Sequence, residues 1–135
     1  MSRDERGSAS IWAILVIAGA FTVLLGLVVD GGRVIDERVA ASRAAAQAAR
    51  AGADALSAAS VRNGNDAVDA EAAQARAQSY LRDAGMDGTV SVAGDTVTVT
   101  VTGESKNQIL GVIGVTSFPI DETESARAIT EEGSP

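Results

Sequence analysis

From Ser8 to Val29 the chain reads SASIWAILVIAGAFTVLLGLVV, twenty-two residues without a charge, and this stretch limits the fold more than any other. Its apolar body, Ile11–Val29, is nineteen residues long. At about 1.5 Å of helical rise per residue it spans roughly 28 Å, close to the bilayer's hydrocarbon core of about 30 Å. Twelve of the nineteen are Leu, Ile, Val or Phe. Such residues favour insertion by about 0.3–0.6 kcal/mol each near a helix centre, roughly 4–7 kcal/mol in total as an upper bound. A core helix of a soluble domain normally interrupts such a run with polar residues. A cleaved secretory signal has an apolar region of about 7–15 residues followed by a small-x-small site, whereas Asp30-Gly31-Gly32-Arg33 follows here. The run reads as a transmembrane helix over 11–29, behind a tail of residues 1–10.

The remainder of the 135 residues suffices for one small extramembrane domain. Cysteine and histidine are both absent, which removes disulfides, thiol chemistry, imidazole bases and the commonest zinc ligands. The net charge of −7 lies beyond the apolar run, because Arg3 and Arg6 offset Asp4 and Glu5. An acidic domain has no electrostatic reason to seek nucleic acid or anionic lipid. Ten arginines against one lysine, in an alanine-rich chain, suggest a GC-rich bacterial genome. Arginines flank the run on both sides, so the positive-inside count is nearly even. The short tail favours a cytoplasmic N-terminus and an extracytoplasmic C-terminal domain.

Ala18, Thr22 and Gly26 recur every four residues and share one helix face, a spacing that lets a second membrane helix approach closely. Residues 30–60 continue in strong helix formers, with twelve alanines between Ala40 and Ala59. Ile35, Val39, Ser42, Ala46, Ala49, Ala53 and Leu56 fall on a heptad seam. This seam permits close packing but buries little area per residue. The pattern predicts one long helix that continues out of the membrane, with Gly52 as a weak point.

Residues 61–130 read as a small α+β domain, with residues 131–135 as a frayed tail. Asn63-Gly64-Asn65 is a turn signal, and Asn65 or Asp66 is placed to cap a second helix ending at Gly85. Ala70, Ala73, Ala77, Tyr80, Leu81 and Ala84 form its apolar face. Val90 and Val92 then alternate with polar residues, Gly94-Asp95 turns, and residues 96–102 read TVTVTVT. Period two predicts an antiparallel hairpin with valines buried and threonines toward water. Gly103–Asn107 reads as a polar loop, Ile109–Val115 as a short helical turn or hydrophobic plug, and a third extended run starts at Phe118-Pro119. Pro119 suits an edge strand.

No catalytic constellation is present: no Ser–His pair, Cys nucleophile, P-loop or dinucleotide fingerprint. The chain reads as a non-enzyme needing no cofactor. Asp30-Gly31-Gly32-Arg33 lacks the spacing of a phosphate cradle and reads as a polar boundary at headgroup level. The acidic residues Asp121, Glu122 and Glu124 fit a solvated strand face that discourages edge pairing better than a cation site.

Four features together resemble the TadE/TadG-like proteins of tight-adherence (Flp) pilus assembly. They are Arg6-Gly7-Ser8-Ala9 before the apolar run, Asp30-x-Gly32-Arg33 after it, the segment Ala44–Ala55 containing Ala51-Gly52-Ala53, and Ala126-Arg127-Ala128 near the C-terminus. The resemblance is specific over about residues 6–56 and architectural beyond. It implies a pilin-like or pseudopilin architecture, a minor subunit or an assembly and anchoring factor of an adhesive pilus or related secretion machine. Its partners would be membrane lipid and other pilus-assembly subunits met through the N-terminal helix, with a homo-oligomer as another option. In pilin-like members a peptidase cuts after a glycine preceding the apolar helix, a place held here by Gly7 with Ser8 next. Such members carry glutamate where this chain has Trp12, which suits an interfacial aromatic belt. That favours a permanent anchor over a subunit of the pilus shaft. The alternative is a single-pass anchor presenting a binding module unrelated to pili.

Overall fold

The computed structural model describes residues 4–63 and 69–129, with side chains for 9–58 and 69–129. It contains helix α1 (Asp4–Asn63), helix α2 (Ala70–Asp83), and strands β1 (Asp87–Ala93), β2 (Thr96–Lys106) and β3 (Ser117–Arg127). A short 3-10 turn, Leu110–Ile113, joins β2 to β3. The sheet order is β1-β2-β3. The fold is therefore α+β, as the alternation of alanine-rich and valine/threonine-rich stretches predicts.

The chain divides into two compact units, one of Met1–Ile35 with Ser105–Phe118, the other of Asp36–Glu104 with Pro119–Pro135. In the second unit the TVTVTVT stretch pairs antiparallel with β1, Val90 facing Val99 and Val92 facing Val97. Val97, Val99 and Val101 are fully buried, and the intervening threonines point away. Thr98 and Thr100 instead meet Ser125 and Thr123 of β3 through hydroxyl–hydroxyl hydrogen bonds of 3.0 and 2.8 Å. Pro119 lies on an edge strand, where its missing N–H costs no ladder bond.

Alanines of both helices cover the valine face. The core joins Ala41, Ala45, Ala48, Ala49, Ala53 and Leu56 of α1 to Ala73, Ala77 and Leu81 of α2. The seam expected on α1 is thus partly shifted. Ala49, Ala53 and Leu56 belong to it, but Ile35 and Val39 are exposed, and the buried stripe passes through Ala41, Ala45 and Ala48 instead. Only residues that small let the sheet and α2 come close to the α1 backbone. Gly52 marks this close approach on α1, for a Cβ there would lie 3.0 Å from Val97 Cγ1 and 3.1 Å from the Ala73 carbonyl oxygen. Ser42, half-buried, donates to Glu124 Oε1 at 2.8 Å, and Arg38 donates to the Pro119 carbonyl at 3.3 Å.

Three local readings differ in detail. The expected turn residues after Asn63 and the proposed caps Asn65 and Asp66 lie outside the described residues. Asp69 caps α2, accepting from the Ala72 N–H at 2.9 Å, and Gly85 ends it with φ of +67°. Tyr80 is 39% exposed, so Leu81 alone anchors that end of the helix in the core. β2 continues through Gly103 to Lys106 rather than yielding to a loop, because pairing with β3 offers those polar residues a ladder their propensity alone does not demand.

Candidate membrane-boundary site

The first unit contains the apolar half of α1 and the β2–β3 connection. Within Ala9–Ala58 the helix is long and apolar enough to cross a membrane. Its large side chains face outward: Trp12 is 67% exposed, and Ile14, Leu15, Val16 and Phe21 are exposed to a similar extent. A continuous apolar surface of this kind calls for a non-aqueous surround.

Asp30 closes that run and is 1% exposed. Its carboxylate accepts three consecutive backbone N–H groups from the β2–β3 connection. Gln108 donates to Oδ1 at 3.0 Å, and Ile109 and Leu110 donate to Oδ2 at 3.0 and 2.8 Å. The first amides of a 3-10 turn have no partner within the turn, and Ile109, its N-cap residue, supplies no side-chain acceptor. Asp30 therefore does the work of an N-cap from about eighty residues away in the chain.

These bonds lower the Asp30 pKa below the ordinary value of 3.8. The Leu110 N–H contributes most; burial opposes it, and the Gln108 and Ile109 amides and the nearby Arg33 charge add to the lowering. A depressed carboxylate contributes stability above its unfolded pKa and loses it as pH falls through the folded one. Hence the Leu110 amide resonance of the full chain in detergent should stay unchanged from neutral pH down to the ordinary aspartate range and shift only below it. A midpoint at or above 3.8 contradicts this account of the site.

One helical turn before Asp30, a Cβ added to Gly26 would lie 2.9 Å from Ile109 Cγ2 and 3.0 Å from Leu110 Cδ2. The connection therefore rests on the α1 backbone at this glycine. Four more of its amides are engaged. Asn107 N–H donates to the Thr116 carbonyl, Val112 to Ile109, Gly114 to Gly111 and Val115 to Leu110. The Asn107 side-chain amide donates to the Val115 carbonyl at 2.9 Å. Gly114, with φ of +96°, turns the chain back toward β3.

The residues singled out from sequence thus have different fates. Asp30 is the centre of the site, and Arg33 lends it charge. Gly32 has open space where a side chain would stand. Gly26, expected to admit another helix, is covered by the chain's own Ile109 and Leu110. Ala18 and Thr22 are exposed, with Thr22 Oγ1 donating to the Ala18 carbonyl at 2.9 Å. Gly7 and Ser8 lie within the helical backbone of α1. Sequence reading missed the partnership of Asp30 with residues 108–110. The only available signal was an uncharged apolar connection in a chain whose membrane-end aspartate lacked an evident partner.

In the second unit a cleft of about 280 Å³ is lined by Glu37, Asp87, Thr102 and Glu104 among apolar neighbours. No group of three acidic residues is arranged to hold a metal ion among the described residues.

Comparison with the curated proteins returned no match, and neither did comparison with the solved structures. Residues 7–55 match the family model described as "Putative Flp pilus-assembly TadE/G-like", so the similarity to that family covers the apolar run, the Asp30 boundary and most of the alanine-rich stretch.

Proposed function

We propose that the protein is a single-pass membrane-anchored component of a tight-adherence pilus-assembly system, with its N-terminus in the cytoplasm and its C-terminal domain outside. The observation that carries this reading is the family match over residues 7–55, which covers both the apolar run and its polar boundary. The outward-facing apolar surface supports lipid as its surround, and Trp12, 67% exposed near the start of the run, supports an interfacial anchor. Ala18 and Thr22 leave a face of small side chains open to another membrane helix, a route to partner subunits. The chain acts by packing and binding and catalyses nothing.

Deleting the gene in its native host is expected to abolish surface pili, with the protein remaining in the membrane pellet after alkaline carbonate extraction. Intact mass from those membranes should retain residues 1–7; a chain starting at Ser8 would mean peptidase processing and a place in the filament. External protease should remove the domain beyond α1 in intact spheroplasts. Normal pili after deletion would leave an anchor with a module unrelated to piliation, and recovery in the carbonate supernatant would remove the anchor as well.

A further inference from the structure

We infer that the β2–β3 connection is a second membrane contact, its exposed apolar side chains entering the lipid beside α1. This rests on the reading of residues 11–29 as a membrane span. No charge occurs between Lys106 and Asp121. Leu110 faces inward at 6% exposure, whereas Val112, Ile113 and Val115 are 87%, 60% and 40% exposed.

Depth identifies the occupant. Ile109 and Leu110 pack at Gly26, about 6 Å of helical rise inside Asp30. If lipid surrounds the run to Val29, this part of the connection is level with the last turn of the span. Val112 and Ile113 belong to the same compact unit and turn their apolar surface outward at that place.

The second argument is the backbone. Irregular chain at membrane depth requires its amides to be satisfied without water. Asp30 takes three of them, and Asn107, Val112, Gly114 and Val115 donate to carbonyls of the same connection. Seven amides between Asn107 and Val115 are thus engaged without water. Together the depth, the outward apolar side chains and the engaged amides favour a lipid surface over a protein partner.

Because the chain has no cysteine, single labels are unambiguous. The full-length variants V112C, F21C and A93C, each carrying an NBD fluorophore, are reconstituted in phosphatidylcholine–phosphatidylglycerol vesicles. Quenching is read with shallow and deep doxyl-labelled lipids and with aqueous iodide. V112C should be quenched severalfold more by the shallow lipid quencher than A93C, and shielded from iodide. F21C should respond most to the deep quencher. If F21C responds to lipid quenchers while V112C is quenched only by iodide, the second contact is wrong and the anchor stands. V112C shielded from iodide and lipid quenchers alike means protein covers the connection, which also overturns the inference. Failure of F21C to meet lipid would remove the anchor and this proposal together.

Discussion

Asp30→Asn is expected to release the β2–β3 connection while leaving the sheet folded. The substitution keeps the size of the side chain and removes one acceptor. Aspartate presents two oxygens to three amides, with Gln108 on one and Ile109 and Leu110 on the other. Asparagine has a single carbonyl oxygen, and its NH2 group must then face at least one N–H, donor against donor. A buried donor stripped of its acceptor is far more costly than the bond it made was stabilising. Hydrogen exchange of the peptide covering residues 107–112, in the detergent-solubilised full chain, should accelerate about tenfold or more. Amides of Val97–Val101 should keep their rates, since they belong to the other compact unit. Wild-type protection of 107–112 in the variant would show that the connection holds its place without Asp30. Asp30→Glu, with its longer stem, should give an intermediate rate, because the charge survives but the carboxylate is displaced from the three amides.

How far such a site is legible in sequence depends on the range of the interaction that makes it. Period-two alternation in TVTVTVT is local, and it specified both the hairpin and its buried face, as the fully buried Val97, Val99 and Val101 confirm. The apolar run and its polar end are likewise local. The α1 seam was harder, because in an alanine-rich helix nearly every face is apolar. Which stripe becomes buried is decided by the valines that arrive from β2, and so Ile35 and Val39 stayed exposed while Ala41, Ala45 and Ala48 were covered. The cap of α2 was expected at Asn65 or Asp66, whereas it is Asp69 whose side chain reaches the third residue beyond it. Asp30 was legible only as a boundary residue. Its partners lie about eighty residues away, and no periodicity or propensity links a carboxylate to amides at that separation.

Gly52→Leu is expected to be the most destabilising single substitution in the alanine-rich half of α1. By intrinsic propensity a glycine inside a helix is a defect, and replacing it with alanine gains about 1 kcal/mol where space allows. Here space does not allow it. The added Cβ would stand 3.0 Å from Val97 Cγ1, 3.1 Å from the Ala73 carbonyl oxygen and 3.4 Å from Ala77 Cβ. Val97 could yield by a small rotation, but the carbonyl belongs to the backbone of α2 and moves only if the helix moves. Gly52→Ala therefore trades a propensity gain against a tight contact and should come out near neutral. Leucine adds three further carbons into the same gap, and overpacking on that scale costs about 3 kcal/mol. For a domain of this size each kcal/mol lowers the unfolding midpoint by about 4–8 °C, so a fall of roughly 12–24 °C is expected. Calorimetry of the full chain in detergent measures it. Gly19→Leu is the control, because nothing lies within 4 Å of a side chain there, and it should leave the midpoint in place. Equal midpoints for the wild type and the Gly52→Leu variant would mean that α1 and α2 are not in the close contact that the buried alanines imply.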